Sequence, residues 1–319
     1  MKKVFIFFLL FGFLSFANTP SIVFIHIGPE IPLYSKYALQ QAHLFNPDCK
    51  IYFVCNAKAT KPFEIPSYIT CISCESLKRS DEHKKFLAKS TLDVSQRKGF
   101  WRAASERFFY LHELISQYNL QNVIHLENDV MLYVELKTIL PTFEKLYPTL
   151  GGTFDHDLRC IPGIVYISNE KSLYKLIQYM AHHAKKGRND MDTLSFFQRE
   201  VGRDSIQNLP IIMKEYVEDH LALNQDIFAQ HIQDFGSIFD AAALGQYLGG
   251  IDPRNGESKP GFINETCIFR PSFLKIEWIQ DERGRKVPYA SYHDGKKFRI
   301  NNLHIHSKNL SKFLSIGEE

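Results

Sequence analysis

The sequence lacks any run of lysine and arginine that would resemble a nucleic-acid-binding arm. Its 38 basic and 35 acidic side chains nearly cancel, which leaves a formal net charge of +3. Because non-specific binding to nucleic acid depends on a basic surface, this balance argues against a nucleic-acid partner. An acidic small-molecule substrate stays open, since a local basic pocket needs no overall excess of positive charge.

Long apolar runs are missing beyond the first 17 residues. Lys2 and Lys3 precede an apolar run at residues 4–16, and Ser15-Phe16-Ala17 has the small-x-small form of a cleavage site. The run is shorter than the ~20 residues that a spanning helix needs. We therefore expect a cleaved signal peptide at residues 1–17, with a short signal anchor as the alternative. The mature protein is expected in the secretory pathway or exported, and not to span a membrane.

Internal repeats and flexible linkers are also missing, so residues 18–319 are predicted to form one domain. Hydrophobic residues make up 45% of the chain, which is ample for a large core. The chain has only six cysteines. Cys71-Ile-Ser-Cys74 has the spacing of a redox motif, but a local disulfide or two packed thiols is the favoured interpretation. The disulfide pairing stays open.

Apolar strand-like runs alternate with segments of helical periodicity along the chain. This alternation predicts an α/β domain of Rossmann-like type, with a mixed, mostly parallel central sheet flanked by helices. Residues 58–75 contain two prolines and are predicted to be irregular. The predicted strands are 21–27, 51–55, 123–126, 151–154 and 163–168, and the predicted helices are 34–45, 100–118, 136–146, 171–183 and 190–200.

Two predicted strands end in polar residues. In parallel sheets, ligands bind beyond the carboxyl ends of strands, which draws attention to His26 and Gly28 and to Glu127 and Asp129. In an extended chain the i, i+2 spacing of the two carboxylates puts both on one face, where their charges repel. A hard cation such as Mn²⁺ or Mg²⁺ would remove that repulsion. A solvated turn is the alternative interpretation.

The segment NVIHLENDVMLY, which follows the aromatic-rich helix FWRAASERFFYLHEL, resembles the DxD region of GT-A glycosyltransferases. The resemblance implies a GT-A-like fold in which Glu127 and Asp129 hold a cation against a nucleotide-sugar diphosphate. Asn128, between them, is expected at the donor. The sequence departs from the usual motif by having Glu at the first acidic position.

Two later segments are similar to the same family. PGIVYISNEKSL, at residues 162–173, is similar to the strand that carries the sugar-binding turn in glycogenin-like and galactosyltransferase-like enzymes, which implies a donor role for Gly163. Asp190 and Asp192 stand where those enzymes often carry an Asp-Gln-Asp element, and here Met191 replaces the Gln. The resemblance makes Asp190 and Asp192 candidates for the base or for a sugar-hydroxyl contact.

The segment NNLHIHSKNL, near the end of the chain, completes the resemblance. Several GT-A families end with a histidine that completes the metal shell and a lysine near the phosphates. His304 and His306 are both candidate ligands, and the pair His306 and Lys308 fits that pattern best.

Other candidates come from the helix at 100–118 and from the glycine-rich segment at 236–256. Arg102 and Arg107 are candidates to contact the donor, with an Arg102–Glu106 surface pair as the alternative. Asp240 is a candidate catalytic carboxylate, and Gln246 is a candidate for binding sugar hydroxyls.

The residues and the resemblance together favour a metal-dependent glycosyltransferase that uses a nucleotide-sugar donor and a glycan, lipid or protein acceptor. Whether it retains or inverts configuration stays open. One alternative is a nucleotidyl or phosphoryl transferase with the same metal–diphosphate site. The other is a secreted sugar-binding protein with no chemistry.

Overall fold

The computed structural model describes residues 19–95, 99–222, 225–293 and 295–316, and the predicted signal peptide lies outside these ranges. The strands are β1 Ser21–His26, β2 Ile51–Cys55, β3 Ile69–Ser73, β4 Val123–Leu126, β5 Val130–Leu132, β6 Leu150–His156, β7 Arg159–Ile167, β8 Gln207–Asn208, β9 Ser237–Ile238, β10 Leu274–Gln280, β11 Lys286–Tyr292, β12 Phe298–Ile300 and β13 Asn302–His304. The helices are α1 Ser35–Phe45, α2 Asp81–Lys89, α3 Phe100–Tyr118, α4 Leu136–Leu146, α5 Glu170–His183, α6 Asp190–Val201, α7 Lys214–His220, α8 Ile232–Phe235 and α9 Ala243–Gly249.

A seven-stranded sheet in the order β3-β2-β1-β4-β7-β6-β8 forms the centre of the domain. Strands β3, β2, β1 and β4 run parallel, β7 is antiparallel to both β4 and β6, and β8 is parallel to β6. Strands β2 and β4 are buried along their whole length, which explains their unbroken apolar sequences. The predicted mixed, mostly parallel α/β architecture is confirmed.

Helices flank this sheet and deliver side chains to its edge. Helix α3 packs against β1, α5 and α6 pack against β7, and α3 contacts both α5 and α6. The apolar positions Phe108, Leu111 and Ile115 of α3 are fully buried, as the i, i+3, i+7 spacing predicts. The predicted bounds of α3 are confirmed at both ends.

The prediction that residues 58–75 are irregular is wrong over the part that forms β3. Strand β3 is an edge strand, and of its five residues only Ile69 is buried. An edge strand exposed in this way carries little apolar signal, so a reading based on hydrophobic runs misses it. The cysteines are free thiols; the Sγ atoms of Cys55 and Cys71, on adjacent strands, lie 3.8 Å apart, whereas Cys71 and Cys74 form no disulfide.

A two-stranded antiparallel sheet connects the C-terminal part of the domain to the end of β4. Strand β13 pairs with β5 so that His304 lies opposite Val130. Beyond Asp129 the chain therefore continues as strand β5, which belongs to this smaller sheet and not to the central one. The pairing brings residues more than 170 positions apart in sequence to one place.

The buried carboxylate of Asp240 holds this C-terminal region together. Its two oxygens accept backbone N–H bonds from Leu244, Gly245 and His304, each at 2.9 Å. Asp240 thereby joins the start of α9 to β13. The residue is fully buried, and burial raises its pKa, with the three backbone donors opposing that rise. A Cβ atom on Gly245 would collide with the carbonyl oxygen of His304, so only glycine permits this close packing of α9 on β13.

Among the residues that the structure describes, no helix combines the length and apolar character needed to cross a membrane.

Replacing Asp240 by Ala should lower the free energy of unfolding by about 2–4 kcal/mol, because three buried N–H groups lose their acceptor. Urea unfolding followed by circular dichroism measures this loss. The matched control is Asp234→Ala, since Asp234 is an exposed acid on α8, where a change of less than about 0.5 kcal/mol is expected. Equal stability of the two variants would contradict the anchoring role of Asp240.

Candidate active site

The end of β4 presents Glu127 and Asp129 to a cavity, and backbone hydrogen bonds fix both residues. The N–H of Glu127 donates to the carbonyl of Gly163 on β7 at 3.0 Å. The carbonyl of Asp129 accepts the N–H of Ile305 at 2.9 Å, just beyond β13. Because each residue is tied to a neighbouring strand, the two carboxylates and the His304 side chain occupy defined positions.

These three side chains form a candidate cation site. The Nε2 atom of His304 lies 3.1 Å from Oε2 of Glu127 and 3.2 Å from Oδ1 of Asp129. One donor atom from each residue lies within 4.8 Å of the other two. Two carboxylate oxygens and one imidazole nitrogen are suitable ligands for a divalent cation, and the adjoining cavity leaves room for further oxygen ligands. The donor set therefore fits the predicted cation.

His304 is held at this site by close packing. Its Nδ1 is buried and makes no hydrogen bond within the described ranges. A Cβ atom on Gly163 would lie 2.7 Å from that nitrogen. Metal-binding histidines usually donate a hydrogen bond from the second ring nitrogen. Here the contact with Gly163, together with the backbone bond to Asp240, sets the position of the ring.

The charges around the cluster keep its carboxylates ionised. Burial raises the pKa of Glu127, but the Arg107 guanidinium and His304 together lower it below its usual range. Burial also raises the pKa of Asp129, but the Lys308 ammonium and His304 together hold it well below its usual range. Burial lowers the pKa of His304, but Asp129 and Glu127 raise it to about 10. A bound cation would take the place of the His304 proton, because a metal ligand must be deprotonated.

Arg107, on α3, joins the cluster to the start of α6. Its guanidinium forms ion pairs with Glu127 and with Asp190, the latter at 2.8 Å. Arg107 and Asp190 are both more than 90% buried, and burial raises the pKa of Asp190 despite the opposing effect of Arg107. Arg107 is thus the arginine of α3 that reaches the acidic motif. Arg102 is absent from the cavity lining, and Glu106 contacts His83 instead of pairing with Arg102.

Lys308 and His306 follow β13 at the rim of the cluster. Lys308 has a left-handed backbone conformation (φ +64°) and forms an ion pair with Asp129. Its ammonium lies 5.5 Å from the ring centroid of Tyr34. His306 Nδ1 lies 2.8 Å from Nε2 of Gln246. His306 is outside the Glu127–Asp129–His304 group, so the geometry places His304 with the two carboxylates, and a ligand role for His306 stays a prediction.

A cavity of about 440 Å³ opens beside the cluster. Most of the residues that the sequence singles out line it. These are His26, Arg107, Glu127, Asn128, Asp129, Asp190, Gln246, His304, His306 and Lys308.

Several sequence candidates have supporting positions instead. Asp240 is enclosed by backbone donors and does not line the cavity, so its predicted catalytic role is corrected to a structural one. Asp192 lies in the first turn of α6, outside the lining. Gly28 donates its N–H to Asn56 at 2.8 Å and packs against the ring of His26. Neither Gly28 nor Gly163 lines the cavity, but each lies against the ring of a histidine that does, His26 and His304 respectively.

The cavity also contains charged residues that the sequence reading missed. Arg159 forms an ion pair with the buried Asp155 and donates to Thr266 at 2.6 Å. Arg254 is paired with Asp252 and is 58% exposed. The acid and the arginine of each pair are close in sequence, at i, i+4 and at i, i+2. An acid near an arginine in a loop or hairpin is common in proteins, so this spacing does not identify a cavity residue.

Comparisons with known proteins give weak likenesses. No protein-family model and no curated protein sequence matches the chain. The apo form of mouse xyloside xylosyltransferase 1 is similar over 66% of this chain and 93% of that chain, with 10% identity and a TM-score of 0.43. The galactosyltransferase LgtC, in complex with donor and acceptor sugar analogs, is similar over 66% of this chain and 82% of that chain, with 13% identity and a TM-score of 0.41.

A cytidylyltransferase from Leptospira borgpetersenii serovar Hardjo-bovis is also similar, over 60% of this chain and 76% of that chain. Its identity is 8% and its TM-score is 0.37. With every one of these TM-scores below 0.5, the function has to be argued from the residues of the cavity.

Replacing Gly163 by Ala should weaken Mn²⁺ binding by roughly tenfold or more, because the new Cβ displaces the His304 ring from the carboxylates. Titration of free Mn²⁺ by electron paramagnetic resonance measures the affinity. Gly152→Ala is the matched control, since its Cβ would press on the flexible Ile206 side chain, which precedes β8 and is outside the cavity lining. Unchanged affinity in Gly163→Ala would remove His304 from the cation site.

Proposed function

We propose that this protein is a metal-dependent glycosyltransferase that moves a sugar from a nucleotide-diphosphate sugar to a hydroxyl acceptor. The observation that carries the proposal is the Glu127–Asp129–His304 group at the wall of a cavity that also contains Lys308 and Arg254. Two carboxylates and an imidazole can hold a cation, and two cationic side chains beside them suit the oxygens of a diphosphate.

The proposed reaction breaks the bond between the sugar's anomeric carbon and the diphosphate oxygen. A new bond forms between that carbon and the acceptor oxygen, whose proton is released. Bound Mn²⁺ or Mg²⁺ would supply Lewis-acid stabilisation of the nucleoside diphosphate leaving group. Lys308 is placed to neutralise the same negative charge from the protein side. The leaving group is then a stable dianion or trianion in a preorganised cationic setting.

Arg107 is proposed as a positioning residue, because its guanidinium is committed to Glu127 and Asp190. Of the three carboxylates predicted as catalytic, Asp190 is the one that lines the cavity. Arg107 engages Oδ2 of Asp190, and the backbone N–H groups of Asp190 and Met191 also contact this carboxylate. Each carboxylate oxygen has two lone pairs, so Asp190 can still accept a hydrogen bond from a sugar hydroxyl. An inverting reaction needs a carboxylate base near the acceptor hydroxyl. Apart from the carboxylates of the candidate cation site and Asp252, which pairs with Arg254, the carboxylates that line the cavity are Asp190 and Asp155.

Replacing Asp129 by Asn should abolish stabilisation by a nucleotide sugar with Mn²⁺, because the cation and Lys308 lose their shared carboxylate. Thermal-shift titrations of uridine, guanosine and cytidine diphosphate sugars, with and without Mn²⁺, measure this effect. Turnover of the stabilising donor should fall by roughly 10²–10³-fold. Asp234→Asn, an acid outside the cavity, is the control. A wild-type protein that responds to neither metal nor any donor would leave a binding protein as the better assignment.

The reaction products separate glycosyl transfer from nucleotidyl transfer. Glycosyl transfer or hydrolysis of the donor releases a nucleoside diphosphate, because the sugar–oxygen bond breaks. Nucleotidyl transfer from the same donor would break the phosphate–phosphate linkage, pass the nucleoside monophosphate to the acceptor or to water, and release a sugar 1-phosphate. We expect the diphosphate alone on anion-exchange chromatography, with its formation dependent on Mn²⁺. Sugar 1-phosphate or nucleoside monophosphate as the first product would overturn the assignment.

A further inference from the structure

One face of α3 lines the cavity from the cation site outward. Phe100, Ala103, Ala104 and Arg107 have the i, i+3, i+4, i+7 spacing of a single helical face, and all four line the cavity. Arg107, at the inner end, contacts the carboxylates of Glu127 and Asp190. With a rise of 1.5 Å per residue, Phe100 lies about 10 Å farther out along the helix axis. That length accommodates roughly two sugar rings placed end to end.

The outer end of this face carries an aromatic pair. The ring centroids of Phe100 and Trp101 lie 5.0 Å apart with an interplanar angle of 68°. Trp101 packs against the hydrophobic core, whereas Phe100 is 41% exposed although it lines the cavity. Gly99, in a left-handed conformation (φ +76°), precedes them and begins the helix. Trp101, which is packed on the core, thus holds the neighbouring Phe100 ring, which is partly exposed and lines the cavity.

The chemistry of this face suits an uncharged ligand. The two alanines leave space against the helix, and the guanidinium of Arg107 is already paired with two carboxylates, so this face offers no unpaired cation to a phosphate. The cationic side chains Lys308 and Arg254 come from other parts of the chain, after β13 and α9. Sugar rings combine apolar CH faces with hydroxyl groups, and aromatic rings provide the apolar surface on which such faces stack.

The hydrogen-bonding groups of a nucleoside are better matched by the residues near the end of β1 than by this face of α3. Nε2 of His26 and Oδ1 of Asn128 are buried, belong to cavity-lining residues and have no hydrogen-bond partner within the described ranges. A base or ribose presents the hydrogen-bonding edges that these atoms need, whereas Phe100, Ala103 and Ala104 can form no side-chain hydrogen bond. The polar end of β1 therefore suits the nucleoside, and the aromatic end of α3 is left for the acceptor.

We propose that Phe100 and Trp101 form an acceptor platform and that the acceptor is a carbohydrate whose CH face stacks on Phe100. This inference rests on the proposed glycosyl transfer and adds the acceptor class to it. The acceptor hydroxyl then approaches the donor along the alanine face of α3. A lipid or protein acceptor would have to present a sugar to the same platform.

The sequence provides a direct optical test, because it has two tryptophans, Trp101 and Trp278. Trp278 lies on β10 outside the cavity lining, so Trp278→Phe leaves Trp101 as the single tryptophan, which is excited at wavelengths where tyrosine does not absorb. Lactose, maltose and cellobiose are titrated into this variant, with uridine as the nucleoside probe. At least one disaccharide should change the Trp101 emission in a saturable way. Adding Phe100→Ala should weaken its affinity about tenfold or more.

Two controls separate the platform from the rest of the site. Phe273→Ala removes an aromatic ring of similar exposure (49%) outside the cavity lining and should leave disaccharide affinity unchanged. The affinity of Phe100→Ala for uridine diphosphate with Mn²⁺ should stay within twofold of the parent protein. Uridine diphosphate is measured independently of the disaccharides, so failure of donor binding and failure of the platform give different results.

Two outcomes would overturn the acceptor platform. If Phe100→Ala weakens uridine and uridine diphosphate but leaves disaccharides unaffected, the aromatic pair belongs to the nucleobase. If the Trp101 emission responds to no disaccharide while uridine diphosphate binds with Mn²⁺, the acceptor is not a carbohydrate held at this position.

Discussion

The antiparallel pairing of β13 with β5 is the constraint on which the rest of the site depends. The chain leaves the central sheet after Glu127, and β13 returns to pair with β5, the three residues that follow Asp129. The register puts His304 beside Asp129, and the next residue, Ile305, donates its N–H to the Asp129 carbonyl. Three backbone bonds to Asp240 then tie the same strand to α9. A cation site built from residues so distant in sequence exists only while this small sheet is formed.

The carboxylates of the candidate cation site also require positive charges close to them. Glu127, Asp129 and Asp190 are carboxylates in a largely buried setting, where unpaired charges would be strongly destabilising. Arg107 pairs with two of them and Lys308 with the third. The arrangement keeps ligand oxygens ionised without leaving any of these carboxylates unpaired. It also explains why Arg107 is buried on the cavity side of α3: the guanidinium fixes the relative positions of the acidic residue after β4, of α3 and of α6.

Much of this fold was predictable because buried strands and amphipathic helices leave strong local patterns. The carboxylates of Glu127 and Asp129 follow such a strand, so their place at the sheet edge could be predicted from chain order alone. Which of His304 and His306 lies against the carboxylates could not be predicted from the sequence. Strand β13 ends at His304, so the alternation of side chains along a strand does not extend to His306. Asp240 was misassigned for a similar reason. A carboxylate satisfied by three distant backbone N–H groups has the same local sequence as one that faces a ligand.

Helix α3 contributes residues both to the acidic cluster, through Arg107, and to the aromatic pair of Phe100 and Trp101. Apolar periodicity predicted the bounds of α3, but it does not distinguish Phe100 from Phe108. Phe108 is fully buried, whereas Phe100, in the first turn of the helix, is 41% exposed. The same face therefore changes from core packing near β1, through the paired charge of Arg107, to an exposed ring at the helix start. Helix α3 thus contacts the acidic cluster through Arg107 and presents the exposed Phe100 ring farther out along the same face, so one rigid element would relate the proposed donor site to the proposed acceptor platform.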